Sequence, residues 1–157
     1  MGGEHYTHPG GGVNYLCLPH NPQYGSYKAG HQIGGRIYGT EYEVHDFNPF
    51  KTKNLHNYDA PCAVCFVNSR ASVLMIPARN DCPPGWTEEY HGCLMADRDI
   101  HKRSSDFVCV DENAEYIPGS GANRDGALLY PVEGGCVSLP CPPYAVGREL
   151  TCAVCTK

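Results

Sequence analysis

Long hydrophobic runs are the first thing missing from this chain of 157 residues. The most apolar stretch, SVLMIP at residues 72–77, is far short of the roughly 20 residues a membrane-spanning helix needs, so no membrane insertion is expected. The opening residues MGGEH have no apolar signal-peptide core. Basic runs are missing too. The 12 Lys and Arg are scattered, never more than two together, among 17 Asp and Glu, for a net charge of −5. A phosphate backbone is held by clustered cations, so no nucleic-acid partner is expected. There is no Asn-x-Ser/Thr acceptor, hence no expected N-glycosylation. Apolar residues nowhere sustain a helical period. The Gly-x-Ser-x-Gly elbow and the His-Glu-x-x-His zinc-hydrolase pattern are both absent. With no catalytic constellation, an enzyme is not expected.

What is abundant is turn chemistry and sulfur: 18 Gly, 13 Pro and 10 Cys. Aliphatic residues are sparse, so covalent links are expected to supplement a thin core, each long-range bridge adding about 2–4 kcal/mol. This points to an oxidising, extracellular setting and a secreted protein. The missing signal core is reconciled with that by expecting a mature domain with Met1 as an added start. Cys17, Cys62, Cys65, Cys82, Cys93, Cys109, Cys136, Cys141, Cys152 and Cys155 are an even set. Five bridges and no free thiols are expected, with connectivity left open.

Turn residues divide the chain into short runs rich in β-branched and aromatic residues. Strands are expected at residues 13–18, 36–44, 62–67, 72–77, 88–95, 107–110, 127–133 and 149–156, with the run at 72–77 central. The expected fold is all-β, a disulfide-bridged domain of two packed sheets with long Gly/Pro-rich loops, spanning residues 1–157. The tetrapeptide Cys-Ala-Val-Cys occurs twice, at residues 62–65 and 152–155, and Cys-Pro-Pro occurs at Cys82 and Cys141. These repeats leave open two related sub-lobes.

Two CxxC units also admit a zinc site of four thiolates or a redox motif. The gap between them is too long for a zinc ribbon, and neither copy has a helical context, so structural disulfides are the favoured reading. The eight histidines include His5 and His8, close enough in sequence to share an ion, but no catalytic Glu follows. Oxygen ligands are more informative. Asn123, Asp125 and Glu133 surround the turn residue Gly126, and hard cations take such side-chain oxygens. Glu41, Glu43 and Asp46 form a second acidic group, and on a strand Glu41 and Glu43 share one face. The single tryptophan, Trp86, lies in a Pro-Pro-Gly-Trp turn beside Glu88. An aromatic wall with nearby acceptors suits a sugar, although a lone Trp under a bridged turn is more often core.

The segments HYTHPGGGVNYLCLP, IYGTEYE, PCAVC, VLMIPAR, CPPGWTEEY and LPCPPYAVGRELTCAVCTK, read together, resemble the C-terminal non-collagenous domain of sponge short-chain (spongin-type) collagens and related secreted proteins of marine invertebrates. The similarity runs over nearly the whole chain. Relatives of that domain include a calcium-dependent galactose-binding lectin. The resemblance implies a secreted carbohydrate-binding protein that uses calcium to hold glycans with terminal galactose. The expected metal ligands are Asn123, Asp125 and Glu133, with Glu41 and Asp46 as the alternative acidic group. Trp86, Glu88 and His56 are the expected sugar contacts. The other expectation is a structural extracellular-matrix or assembly domain that binds no sugar. Cys93 stands where the family pattern has an aromatic, which suggests an altered bridge or a link between chains, the latter with a homodimer or larger homo-oligomer.

Overall fold

A computed structural model describes residues 1–51 and 53–157. Seven strands and no helix are present among the described residues. They are β1 (Gly2–Gly3), β2 (Tyr38–Tyr42), β3 (Val73–Pro77), β4 (Thr87–Ala96), β5 (Val108–Asp111), β6 (Ala127–Pro131) and β7 (Thr151–Thr156). The fold is all-β and disulfide-bridged. The strands join in one hydrogen-bonded path, β1-β2-β6-β4-β7-β3, with β5 on β4, in place of two separately packed sheets. Among the described residues, only the β2–β6 pair is parallel.

The ten-residue β4 is the hub, because it pairs with β5, β6 and β7. Its side chains alternate in direction, as strand geometry requires. Cys93 and Met95 enter the core with Tyr42, Val44, Leu129 and Val110. Leu94 and Ala96 are buried on the other face. Gly92 sits where any side chain would run into the β5 backbone at the Val110 carbonyl, so only glycine lets the two strands close. The core is completed by Phe50 and Leu55, from a stretch whose polar residues suggest only a loop. The Phe50 ring packs edge-on to Tyr42 at 5.4 Å. Fully burying residues such as Leu55, Met95 and Leu129 contributes about 1.5–3 kcal/mol each.

Three expected strands come out differently. Residues 13–18 make only an isolated bridge, Leu16 to Gly2. Residues 62–66 are an exposed loop, with Val64 and Phe66 each 88% exposed, because no strand lies alongside to take their backbone groups. The run at 72–77 does form β3, but at the edge, paired with β7 alone, and Val73 is 71% exposed.

Four bridges form: Cys17 with Cys62, Cys82 with Cys155, Cys109 with Cys152, and Cys136 with Cys141. Two of them fasten β7 to its surroundings. Contrary to the expected five, Cys65 and Cys93 are free thiols, and they cannot pair because Cys65 is exposed while Cys93 lies in the core. Burial pushes the Cys93 thiol up to about 12. A residue only 6% exposed and packed against Met95 and Val110 is out of reach of another chain, so the expected link through Cys93 does not stand. The bridges also separate the four CxxC thiols that a shared zinc site would need.

Candidate metal centre

The alternation along β2 builds the site. Tyr42 and Val44 turn into the core, so Glu41 and Glu43 turn to the opposite face. The parallel register sets Glu41 beside Leu128 and Tyr42 beside Leu129, which brings the loop leading into β6 alongside β2. That loop carries Asn123 and Asp125, both in the left-handed region at φ 47° and 50°, where short polar side chains are the best tolerated after glycine. At its end, any side chain at Gly126 would collide with the Gly39 carbonyl.

Glu41 fixes the loop in place. It is 1% exposed, and its two oxygens accept the N–H groups of Arg124 at 2.7 Å and Asp125 at 3.1 Å. The Asp125 carboxylate is thereby carried onto Glu41 and Glu43, and ligand oxygens of all three lie within 4.8 Å of one another. Glu43 registers the crowding. Its carboxyl is pushed up to about 7, first by burial, then by the charges of Asp125 and Glu41, with His45 opposing. The Nδ1 of His56 lies 3.5 Å from a Glu43 oxygen and has no hydrogen-bond partner among the described residues. One buried and two half-buried carboxylates are the donor set of a hard divalent cation, which would relieve their mutual repulsion. Nothing in this donor set selects calcium over other oxygen-preferring ions.

Of the expected ligands, Asp125 and Glu41 meet, and Glu43 joins them. Asn123 lies in the same loop, two residues before Asp125. Asp46 does not arrive: the chain turns out after Val44, leaving its side chain fully solvated and hydrogen-bonded to His45. Glu133 is also displaced. It lies beyond β6, bridged to Glu149, three residues past Tyr130, or about 10 Å at strand rise.

The expected sugar contacts divide. His56 borders the triad. Trp86 and Glu88 lie at the opposite end of β4 from Ala96, which pairs with Tyr130 of β6. From Glu88 to Ala96 is roughly 26 Å of strand, so Trp86 and Glu88 cannot share a ligand with the triad. Glu88 instead accepts from His91 at 2.7 Å.

Beside the triad opens a cleft of about 1090 Å³, with Glu43, Ala96, Asp97, His101, Arg103 and Tyr130 in its walls. Asp97 and Arg103 are 2% and 5% exposed and stand 3.7 Å apart. Asp97 also holds the Nδ1 of His101. No spacing in the sequence marks these residues, because three separate segments contribute them. His5 and His8, by contrast, stack on each other at 5.0 Å, and His8 hydrogen-bonds Glu4. No helix among the described residues is long and apolar enough to cross a membrane. Comparison with family models, with curated proteins and with solved structures gave no match.

Proposed function

We propose that this chain is a secreted, calcium-dependent carbohydrate-binding domain for terminal galactose-type sugars, with the cation held by Glu41, Glu43 and Asp125. The convergence of those three carboxylates at the edge of an open cleft carries the reading. Calcium takes six to eight oxygen ligands, so three carboxylates leave positions for water or for two neighbouring sugar hydroxyls. An extracellular site needs only a dissociation constant of about 10⁻⁴–10⁻³ M, within reach of such a partial shell. Four disulfides suit an oxidising, extracellular location.

The test is calorimetry with calcium, then with galactose, with and without chelator. Sugar heats that vanish with EDTA and with Glu43→Gln support the reading, whereas unchanged binding in both places the site elsewhere. The apo protein adds a pH signature. A carboxyl raised from 4.5 to about 7 by folding holds its proton in the folded state and releases it when unfolded. Stability therefore falls as pH rises from about 4.5 through about 7. Saturating calcium should reverse that slope, because it binds the deprotonated form. A melting temperature that is flat over this window, with and without calcium, would count against the triad.

The second reading is a matrix or assembly domain that binds no sugar and associates as a homodimer or larger homo-oligomer. Its support is the Cys65 thiol, exposed between the equally exposed Val64 and Phe66. A negative glycan array in calcium, together with a disulfide-linked dimer on non-reducing gels, would favour it.

A further inference from the structure

A tyrosine stands in the cleft wall beside the triad. Tyr42 pairs with Leu129, so the next step along the parallel strands sets Tyr130 beside Glu43, on the face turned away from the core. On its other side Tyr130 pairs with Ala96, which carries only a methyl. Both residues line the cleft. His101 stands edge-on to Tyr130, with ring centres 5.7 Å apart, and Tyr6 packs behind His101 at 4.8 Å. The Tyr6 N–H donates to the carbonyl of Gly126, next to Asp125, so the rings lead from the metal loop to Tyr130.

Beneath this wall Asp97 and Arg103 form a buried ion pair, Oδ2 to Nε at 3.7 Å. Asp97 Oδ2 and Arg103 Nε and Nη2 are buried without hydrogen-bond partners among the described residues. With Nδ1 engaged by Asp97, Nε2 is the His101 ring atom left to meet a ligand.

We propose that Tyr130 is the stacking surface and His101 the orienting hydrogen-bond partner for a pyranose whose hydroxyls reach the cation at Glu43 and Asp125. This rests on the carbohydrate reading and moves the aromatic wall from Trp86 to Tyr130. A galacto-configured ring fits the arrangement, because its axial hydroxyl leaves one continuous C–H face to lie on an aromatic ring.

Calorimetry with methyl β-galactoside in calcium tests it on wild-type protein and on Tyr130→Leu, Tyr130→Phe, His101→Gln and Trp86→Phe. Calcium affinity without sugar is measured on each. The expected result is a loss of about tenfold in sugar affinity for Tyr130→Leu and His101→Gln, with Tyr130→Phe and Trp86→Phe within about twofold. Calcium affinity should be unchanged throughout. In the wild-type protein, sugar C–H protons should shift upfield in the proton NMR spectrum on binding, which needs no variant. Calcium-dependent sugar binding that survives both Tyr130→Leu and His101→Gln, without an upfield shift, would overturn the proposal and leave the lectin reading standing. A wild-type protein that binds calcium but no sugar would overturn both.

Discussion

The same four residues, Cys-Ala-Val-Cys, fold in two ways in this molecule. At residues 152–155 they lie in β7, between β4 and β3, and Cys152, Ala153 and Cys155 are 0% exposed. At residues 62–65 they form an exposed loop, with one cysteine bridged to Cys17 and the other free. Local propensity is equal in the two copies, so the difference comes from their partners. β7 finds backbone donors and acceptors on both edges. The upstream copy follows Pro61 and runs into a turn at Asn68 and Ser69, with no strand beside it. A short apolar run becomes a strand when non-local pairing is available, which is why β-propensity depends so strongly on context.

Removing one bridge from each copy should sharpen this contrast most. The Cys109–Cys152 and Cys17–Cys62 bridges have nearly equal sequence separations, 43 and 45. Restriction of the unfolded chain alone therefore predicts equal losses, about 4 kcal/mol each. We expect them to differ. Cutting the bridge at β7 with Cys109→Ser and Cys152→Ser leaves a paired, buried strand with little native freedom to gain, so the full loss should appear. Cutting the loop bridge with Cys17→Ser and Cys62→Ser frees exposed segments in the folded state as well, which offsets part of the loss. Urea unfolding of the two double variants measures the difference. Equal losses would mean that the loop copy is as constrained as the strand copy.

A smaller effect separates the two alanines. Ala153 is enclosed, so Ala153→Leu should cost about 1–3 kcal/mol through overpacking. Ala63 is exposed, so Ala63→Leu should stay within about 0.5 kcal/mol. Thermal unfolding of both variants is sufficient, and similar shifts would contradict the packing difference.

The same division runs through what the sequence made legible. Strands β2, β4, β5, β6 and β7 follow from alternation and turn punctuation, because each has neighbours that take its apolar face. Residues 62–67 carry the same signal without neighbours, and the apolar run at 72–77 lies at the edge because composition does not set strand order. Phe50 and Leu55 were hidden among turn residues, although they plug the core. In the candidate site, period two along the strand was enough to put Glu41 and Glu43 on one face. Their meeting with Asp125 depends on the parallel β2–β6 pair, a contact across more than 80 residues that no local pattern encodes. Asp46 and Glu133 had equally good local chemistry and were carried away by a turn and by strand length. Trp86 stood out by rarity, whereas Tyr130 was one of 11 tyrosines and gained its place only from register.

The smallest expected effect on stability is at Cys65, and it concerns chemistry more than folding. Cys65→Ser should change stability by less than about 0.5 kcal/mol, because an exposed loop side chain has little packing to lose. Its reactivity should be another matter. The thiolate is the nucleophile in alkylation, so an accessible thiol reacts and an enclosed one does not. In the folded protein iodoacetamide should therefore modify one cysteine, Cys65. Cys93, 6% exposed and with its thiol pushed up to about 12, should react only after unfolding. Peptide mass spectrometry reads both sites. Rapid modification of Cys93 under native conditions would show that the β4–β5 core opens easily. An unreactive Cys65 would show that it is covered by a partner or already bonded to one. A non-reducing gel of the wild-type and Cys65→Ser proteins then separates those two cases, since only a covalent partner disappears with the substitution.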